Sequence, residues 1–177
     1  PTLPERLRLF LRVCQPVAYA HAPGVIHHDL KPGNVMVGPF GEVLVLDWGI
    51  ARLVADGEPR SADAGAPRGA GRAPEALHEE RTAAGTVLGT PGFMAPEQER
   101  GDGDVDHRAD VFALGTLLRT LAGGVSGPNR RHAAIVAKAT AARPQERYAD
   151  VPSLAADVTR LLDGEPVSAY RERPWER

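Results

Sequence analysis

Residues 27–34 read His-His-Asp-Leu-Lys-Pro-Gly-Asn, and residues 47–49 read Asp-Trp-Gly. Between them lie two short β-prone segments, 35–37 and 43–46, joined by Gly38-Pro39-Phe40-Gly41. That pattern predicts a hairpin. Antiparallel pairing puts Asn34, just before one strand, and Asp47, just after the other, at the same end. Both side chains offer oxygen to a hard cation such as Mg²⁺. Asp29 can accept the proton of a hydroxyl. Lys31, two residues on, can neutralise charge growing on a transferred phosphate. A base candidate, a cation and two metal-ligand candidates at this spacing meet the needs of phosphoryl transfer.

A third motif follows, Gly89-Thr90-Pro91-Gly92-Phe93-Met94-Ala95-Pro96-Glu97. Taken in order, the three resemble the catalytic loop, metal loop and Ala-Pro-Glu element of protein kinases. The lysine after Asp29 is the form seen in serine/threonine kinases. The run from Val35-Met36-Val37 to Trp48-Gly49, and the ending Gly164-Glu165-Pro166-Val167-Ser168, look most like bacterial members. The resemblance covers nearly the whole chain, but only the C-terminal lobe of that family.

The resemblance implies an α+β fold, mostly helical, with a short β-hairpin and no N-lobe. It implies ATP and Mg²⁺ (or Mn²⁺) as cofactors and a protein as substrate. Asp29 would orient and deprotonate the acceptor hydroxyl, and Lys31 would stabilise the phosphoryl group in transfer. Asn34 and Asp47 would hold the metal, and Met36 would sit beneath the adenine. Thr90 would hydrogen-bond Asp29 and Lys31. His27 would stack on Trp48, which stands where the family has Phe; a satisfied core histidine is the plainer alternative. Asp110 would receive backbone N–H groups of the catalytic loop, or serve as a carboxylate at a helix N-terminus. Arg147 would pair with Glu97, the alternative being two unrelated surface charges.

Several family parts are missing from the sequence. There is no glycine-rich nucleotide loop in a strand–turn–strand context. The chain has two lysines, Lys31 and Lys138, so none is placed to be the phosphate-gripping strand lysine. The helix glutamate that would pair with it is missing too. His28 stands where the family has an arginine that meets a phosphorylated activation loop; His cannot make the same bidentate fork. Thr82 and Thr86 are the nearest phosphorylation candidates. The stretch from Asp110 to Arg147 looks shortened, as if a substrate-docking helix were deleted.

Hydrophobic periodicity predicts a helix over 4–22, with a kink expected at Pro16 inside it. Residues 108–122 are apolar on nearly all sides, which predicts a central helix. Further helices are expected near 130–141 and 152–163, the last capped by Asp150. Residues 54–86 are rich in Gly, Ala, Pro, Ser and charge, so a flexible activation-segment insertion is expected there. Residues 164–177 are expected to form a C-terminal tail.

With 177 residues the chain is one domain's worth, here an incomplete kinase domain spanning 1–177. A net charge of −2 leaves no nucleic-acid or anionic-membrane footprint. The one cysteine, Cys14, lies on an apolar helix face and suits a buried role. The longest apolar run, 111–118, is too short to span a bilayer. A cytoplasmic location is the expectation, with any membrane anchor lying beyond residue 177. The start at Pro1 suggests a fragment. Two other function classes stay open: a non-catalytic pseudokinase docking partners, and a small-molecule kinase of related fold. The long activation segment and Ala95-Pro96-Glu97 weigh against the second.

Overall fold

The computed structural model describes residues 1–49, 52–53, 89–123 and 130–171. The expectations for 54–86, with Thr82 and Thr86, lie outside the described residues. Among the described ones, five α-helices dominate: α1 (Leu3–His21), α2 (Pro96–Glu99), α3 (Arg108–Ala122), α4 (Arg130–Ala139) and α5 (Val151–Leu162). Four short strands form two separate antiparallel pairs: β1 (Val25–Ile26) with β4 (Arg52–Leu53), and β2 (Val35–Val37) with β3 (Val43–Val45).

α1 starts one residue before the expected point because Thr2 caps it. Its backbone N–H donates to Glu5 Oε2 (2.7 Å), and its hydroxyl accepts from the Glu5 N–H (3.4 Å). This reciprocal box satisfies two otherwise orphaned donors. The helix continues past Pro16. Its Leu7, Phe10, Val13, Cys14 and Val17 are buried against α3 and α5. Burial pushes the Cys14 thiol pKa far up, which keeps it a protonated part of the core.

α3 is the pillar of the fold, between α1 and α4. Ala109, Val111, Ala113, Leu114, Leu117 and Leu118 are all buried. A Cβ on Gly115 would sit 2.6 Å from the Cβ of Ala139, so the close approach of α4 depends on that glycine.

The 35–46 hairpin forms in the expected place, with Val35↔Val45, Met36↔Leu44 and Val37↔Val43 opposite one another. Gly41 closes its turn at φ 82, a left-handed conformation that glycine adopts without steric cost. The β1–β4 pair was not anticipated. It matches Val25 with Leu53 and Ile26 with Arg52, which brings together the chain on either side of the catalytic-loop and hairpin motifs.

α5 starts at Asp150, whose carboxylate accepts from the Ser153 N–H (2.7 Å). Its inner face carries Leu154, Val158 and Leu161, and also Asp157, which is fully buried. That carboxylate accepts from the Tyr148 hydroxyl (2.8 Å), the Ser168 N–H (2.8 Å) and hydroxyl (2.7 Å), and the Ala169 N–H (3.0 Å). Arg160 adds a contact at 3.0 Å. The chain after α5 is thereby tied down, and Val167 is buried with it.

Burial alone would raise the Asp157 pKa, but its donors from Ser168, Tyr148 and Ala169 outweigh that and lower it. A lowered folded-state pKa stabilises the fold above the ordinary carboxylate range, and that part is lost as pH falls through the lowered value. Asp157→Asn is therefore expected to cost about 1–3 kcal/mol at neutral pH. In urea titrations the gap between wild type and variant should narrow toward pH 3. A gap that is constant with pH would show the charge is not what matters.

Candidate active site

The β2–β3 ladder extends one step toward the site, where the Leu46 N–H donates to the Asn34 carbonyl at 2.8 Å. Asn34 and Asp47 therefore flank the same end of the hairpin. Asn34 is buried at the close of a 3₁₀ turn, Pro32–Asn34. Its Nδ2 faces two acceptors, the Asp29 carbonyl (2.8 Å) and Asp29 Oδ2 (3.3 Å). Only the amide nitrogen suits that position, which leaves Oδ1 as the end available to a cation. Asp47 is exposed and has φ 62. Left-handed backbone at a non-glycine costs roughly 1–2 kcal/mol and persists where surrounding contacts enforce it.

The next residue supplies such a contact. Trp48 packs its ring on His27, with centroids 4.5 Å apart at 51°, and its Nε1 donates to the Val45 carbonyl (2.9 Å). His27 is fully buried. Its Nδ1 accepts from the Asp29 N–H (3.2 Å), which places the ring proton on Nε2, facing the Leu46 carbonyl at 3.0 Å. One imidazole thus joins the catalytic-loop motif to the end of the hairpin.

Asp29 sits at the centre of a three-way contact. Lys31 Nζ lies 2.6 Å from Asp29 Oδ2 and 2.7 Å from Thr90 Oγ1. The Thr90 hydroxyl donates to Asp29 Oδ1 at 2.7 Å. Burial would raise the Asp29 pKa, but the hydrogen bonds from Lys31 and Thr90, with the Lys31 charge, hold it below its ordinary value. The carboxyl is thus ionised at neutral pH and can accept a hydroxyl.

Asp110, in the first turn of α3, underpins the loop. Its carboxylate accepts from the His27 N–H (2.8 Å) and the His28 N–H (2.9 Å) and meets His21 Nε2 at 2.8 Å. The carboxylate thus stands at a helix N-terminus and against two N–H groups of the loop. His28 is half-buried at φ 68. Its carbonyl accepts from Gln98 Nε2 at 2.9 Å.

Glu97 and Arg147 form a buried bidentate pair at 2.6 and 2.7 Å. This disposes of the alternative of two unrelated surface charges. Arg147 also donates to the carbonyls of Ala141 (2.8 Å) and Arg108 (2.9 Å) and lies over the Phe112 ring at 5.0 Å. Met36 is half exposed on β2, with Leu44 beside it on β3 in the same state.

With this geometry in view, the protein kinase domain profile is found to match residues 5–164. The chain belongs to the protein kinase family. It is similar to the serine/threonine-protein kinase PknD of Chlamydia caviae, 34% identical over 90% of this chain and 19% of that protein. It is likewise similar to the serine/threonine-protein kinase PknB of Mycobacterium tuberculosis, 32% identical over 96% of this chain and 28% of that protein. PknD of Protochlamydia amoebophila is 39% identical over 65% of this chain and 11% of its own length. The chain therefore spans between 11% and 28% of the length of these relatives.

Two kinase-domain residues at the site had no sequence signal. His21 ends α1 and meets Asp110 from 89 positions away. Gln98 directly follows Ala95-Pro96-Glu97 and reaches His28 across 70 positions. Among the described residues no helix is long and apolar enough to cross a membrane.

Proposed function

We propose that residues 1–177 form the C-terminal lobe of a serine/threonine protein kinase, which transfers the γ-phosphoryl group of ATP to a protein hydroxyl. The observation that carries this is the Asp29–Lys31–Thr90 triangle. The Thr90 hydroxyl already donates to Asp29 within reach of Lys31, so an acceptor hydroxyl placed there meets the same chemistry. The similarity to proteins named serine/threonine kinases supports the same choice.

In this scheme the acceptor oxygen attacks the γ-phosphorus, the bond to the bridging oxygen breaks, and the acceptor proton passes to Asp29. A carboxylate of lowered pKa is a weak base, so it orients the hydroxyl first and takes the proton late, once the O–P bond is forming. Lys31 offsets charge on the transferring group. Asn34 Oδ1 and the Asp47 carboxylate are hard oxygen donors that fit Mg²⁺, whose remaining ligands are commonly phosphate and water. Bound there, the metal would neutralise phosphate charge. Met36 and Leu44 provide an apolar floor for the adenine. Use of ATP places the lobe on the cytoplasmic side. The 177 residues lack the glycine-rich loop and strand lysine, so the complementary half of the ATP clamp comes from an N-lobe.

The test is Mg²⁺-dependent labelling of a Ser/Thr peptide by ATP. It is run on residues 1–177 alone and on the same residues joined to the N-lobe of a relative such as PknB. Alone, the chain is expected to transfer no more than Asp29→Asn does, because positioning supplies much of this catalysis. Joined, it is expected to label Ser or Thr. Robust transfer by the lobe alone would sink the half-clamp argument. A joined protein that folds and binds ATP yet labels nothing would favour a non-catalytic docking module.

A further inference from the structure

We propose that Gln98 is a positioning residue for the Asp29 site: its side-chain amide clamps the His28–Asp29 peptide group to the segment that carries Thr90. This rests on the kinase function proposed above. The peptide group between His28 and Asp29 is held at both ends. Its oxygen, the His28 carbonyl, accepts from Gln98 Nε2 at 2.9 Å. Its N–H, on Asp29, donates to His27 Nδ1 at 3.2 Å. Holding both ends fixes the plane from which the Asp29 side chain departs.

The Gln98 amide can be oriented in only one way. Its Oε1 accepts from the Ala95 N–H at 3.1 Å, so Nε2 must face His28. The residue is 6% exposed, which shields both bonds from water. His28 has a left-handed backbone, φ 68, that a non-glycine residue holds only under constraint. Asp110 supplies the constraint on the N–H side of His28, and Gln98 supplies it on the carbonyl side. Gly89 passes close by: a Cβ there would lie 3.3 Å from the His28 oxygen. The segment bearing Thr90 and the loop bearing Asp29 therefore meet at this carbonyl.

Glutamine alone suits both bonds among residues of its length. Ionised glutamate keeps the acceptor for Ala95 and lacks the donor for His28. Methionine keeps the shape and lacks both. Lysine is all donor. A positioning role thus depends on the donor, whereas a packing role depends only on shape.

The test uses hydrogen exchange of residues 1–177, read at the His28 and Asp29 amides against Leu114 and Leu118 in α3. In Gln98→Met, exchange at His28 and Asp29 is expected to rise about tenfold, the effect of one lost buried hydrogen bond, with α3 unchanged. Gln98→Glu should match it at neutral pH. It should recover part of the protection, relative to wild type at the same pH, once acid protonates the new carboxyl and restores a donor. Unchanged exchange at Asp29, or equal acceleration in α3, would overturn the proposal, as would a glutamate variant with no acid recovery. In the N-lobe-joined protein, Gln98→Met should lower kcat about tenfold and leave the KM for ATP within about twofold. A raised KM with kcat intact would also overturn it. If joined wild type transfers nothing, the kinase function fails, and the exchange measurement still decides Gln98.

Discussion

Arg147→Met is expected to destabilise the lobe by about 3–5 kcal/mol, because it leaves a carboxylate buried without its partner. Both side chains of the Glu97–Arg147 pair are almost wholly out of water, Arg147 at 0% and Glu97 at 7% exposure. The guanidinium also satisfies the carbonyls of Ala141 and Arg108. Methionine fills similar space against Phe112 but provides no donor. Urea titration of the single variants and of Glu97→Leu/Arg147→Met gives the comparison. The double variant should recover part of the loss, since removing both charges removes the uncompensated one. A single-variant cost under about 1 kcal/mol would mean the pair behaves like an exposed one. The loss should also loosen Thr90 against Asp29, because Glu97 anchors the segment that follows Thr90.

Asp29→Asn in the N-lobe-joined protein is expected to lower kcat by about 10²–10⁴-fold. Asparagine keeps the shape but neither carries the charge that Lys31 and Thr90 surround nor accepts the acceptor proton. Stability should change little by comparison, since the site is polar and near the surface. The pH dependence has a definite sign. The folded-state pKa of Asp29 is lowered, so the ionised form persists below the ordinary aspartate value of about 3.9. Activity and the Lys31–Asp29 contribution are present above that value and fade only as pH falls through the lowered one. A kcat–pH profile whose acid limb, if assignable to Asp29, lies above the ordinary value would contradict the network at the site. A variant retaining a tenth or more of wild-type kcat would remove Asp29 from the proton path.

Much of the architecture was legible because its signals are local. The apolar rhythm of Leu7, Phe10, Cys14 and Val17 marks one helical face, and that face is buried. The Gly38–Gly41 turn between β-prone runs marked the hairpin and brought Asn34 to the Asp47 end. Asp150 could be recognised as a cap from its place before an apolar periodic run. The contacts of Asp29 with Thr90 and of Glu97 with Arg147 came from family motifs; neither pair has any local signature.

What the sequence determined by itself was the four longer helices and the hairpin, while the polar residues of the candidate site came with the family motifs, His21 and Gln98 excepted. Tertiary structure alone decided how those residues are held. Asp157 sits at a position on α5 that periodicity assigns to the apolar core, and only the return of Ser168 and Ala169 makes a carboxylate tolerable there. The β1–β4 pair joins two-residue strands across 25 intervening residues, 27–51, a separation that no single local turn can announce. His21 and Gln98 take their partners from 89 and 70 positions away. Periodicity and turn propensity act over a few residues. A buried donor instead finds whatever acceptor the packing of helices brings within 3 Å, and that partner exists only once the chain has folded.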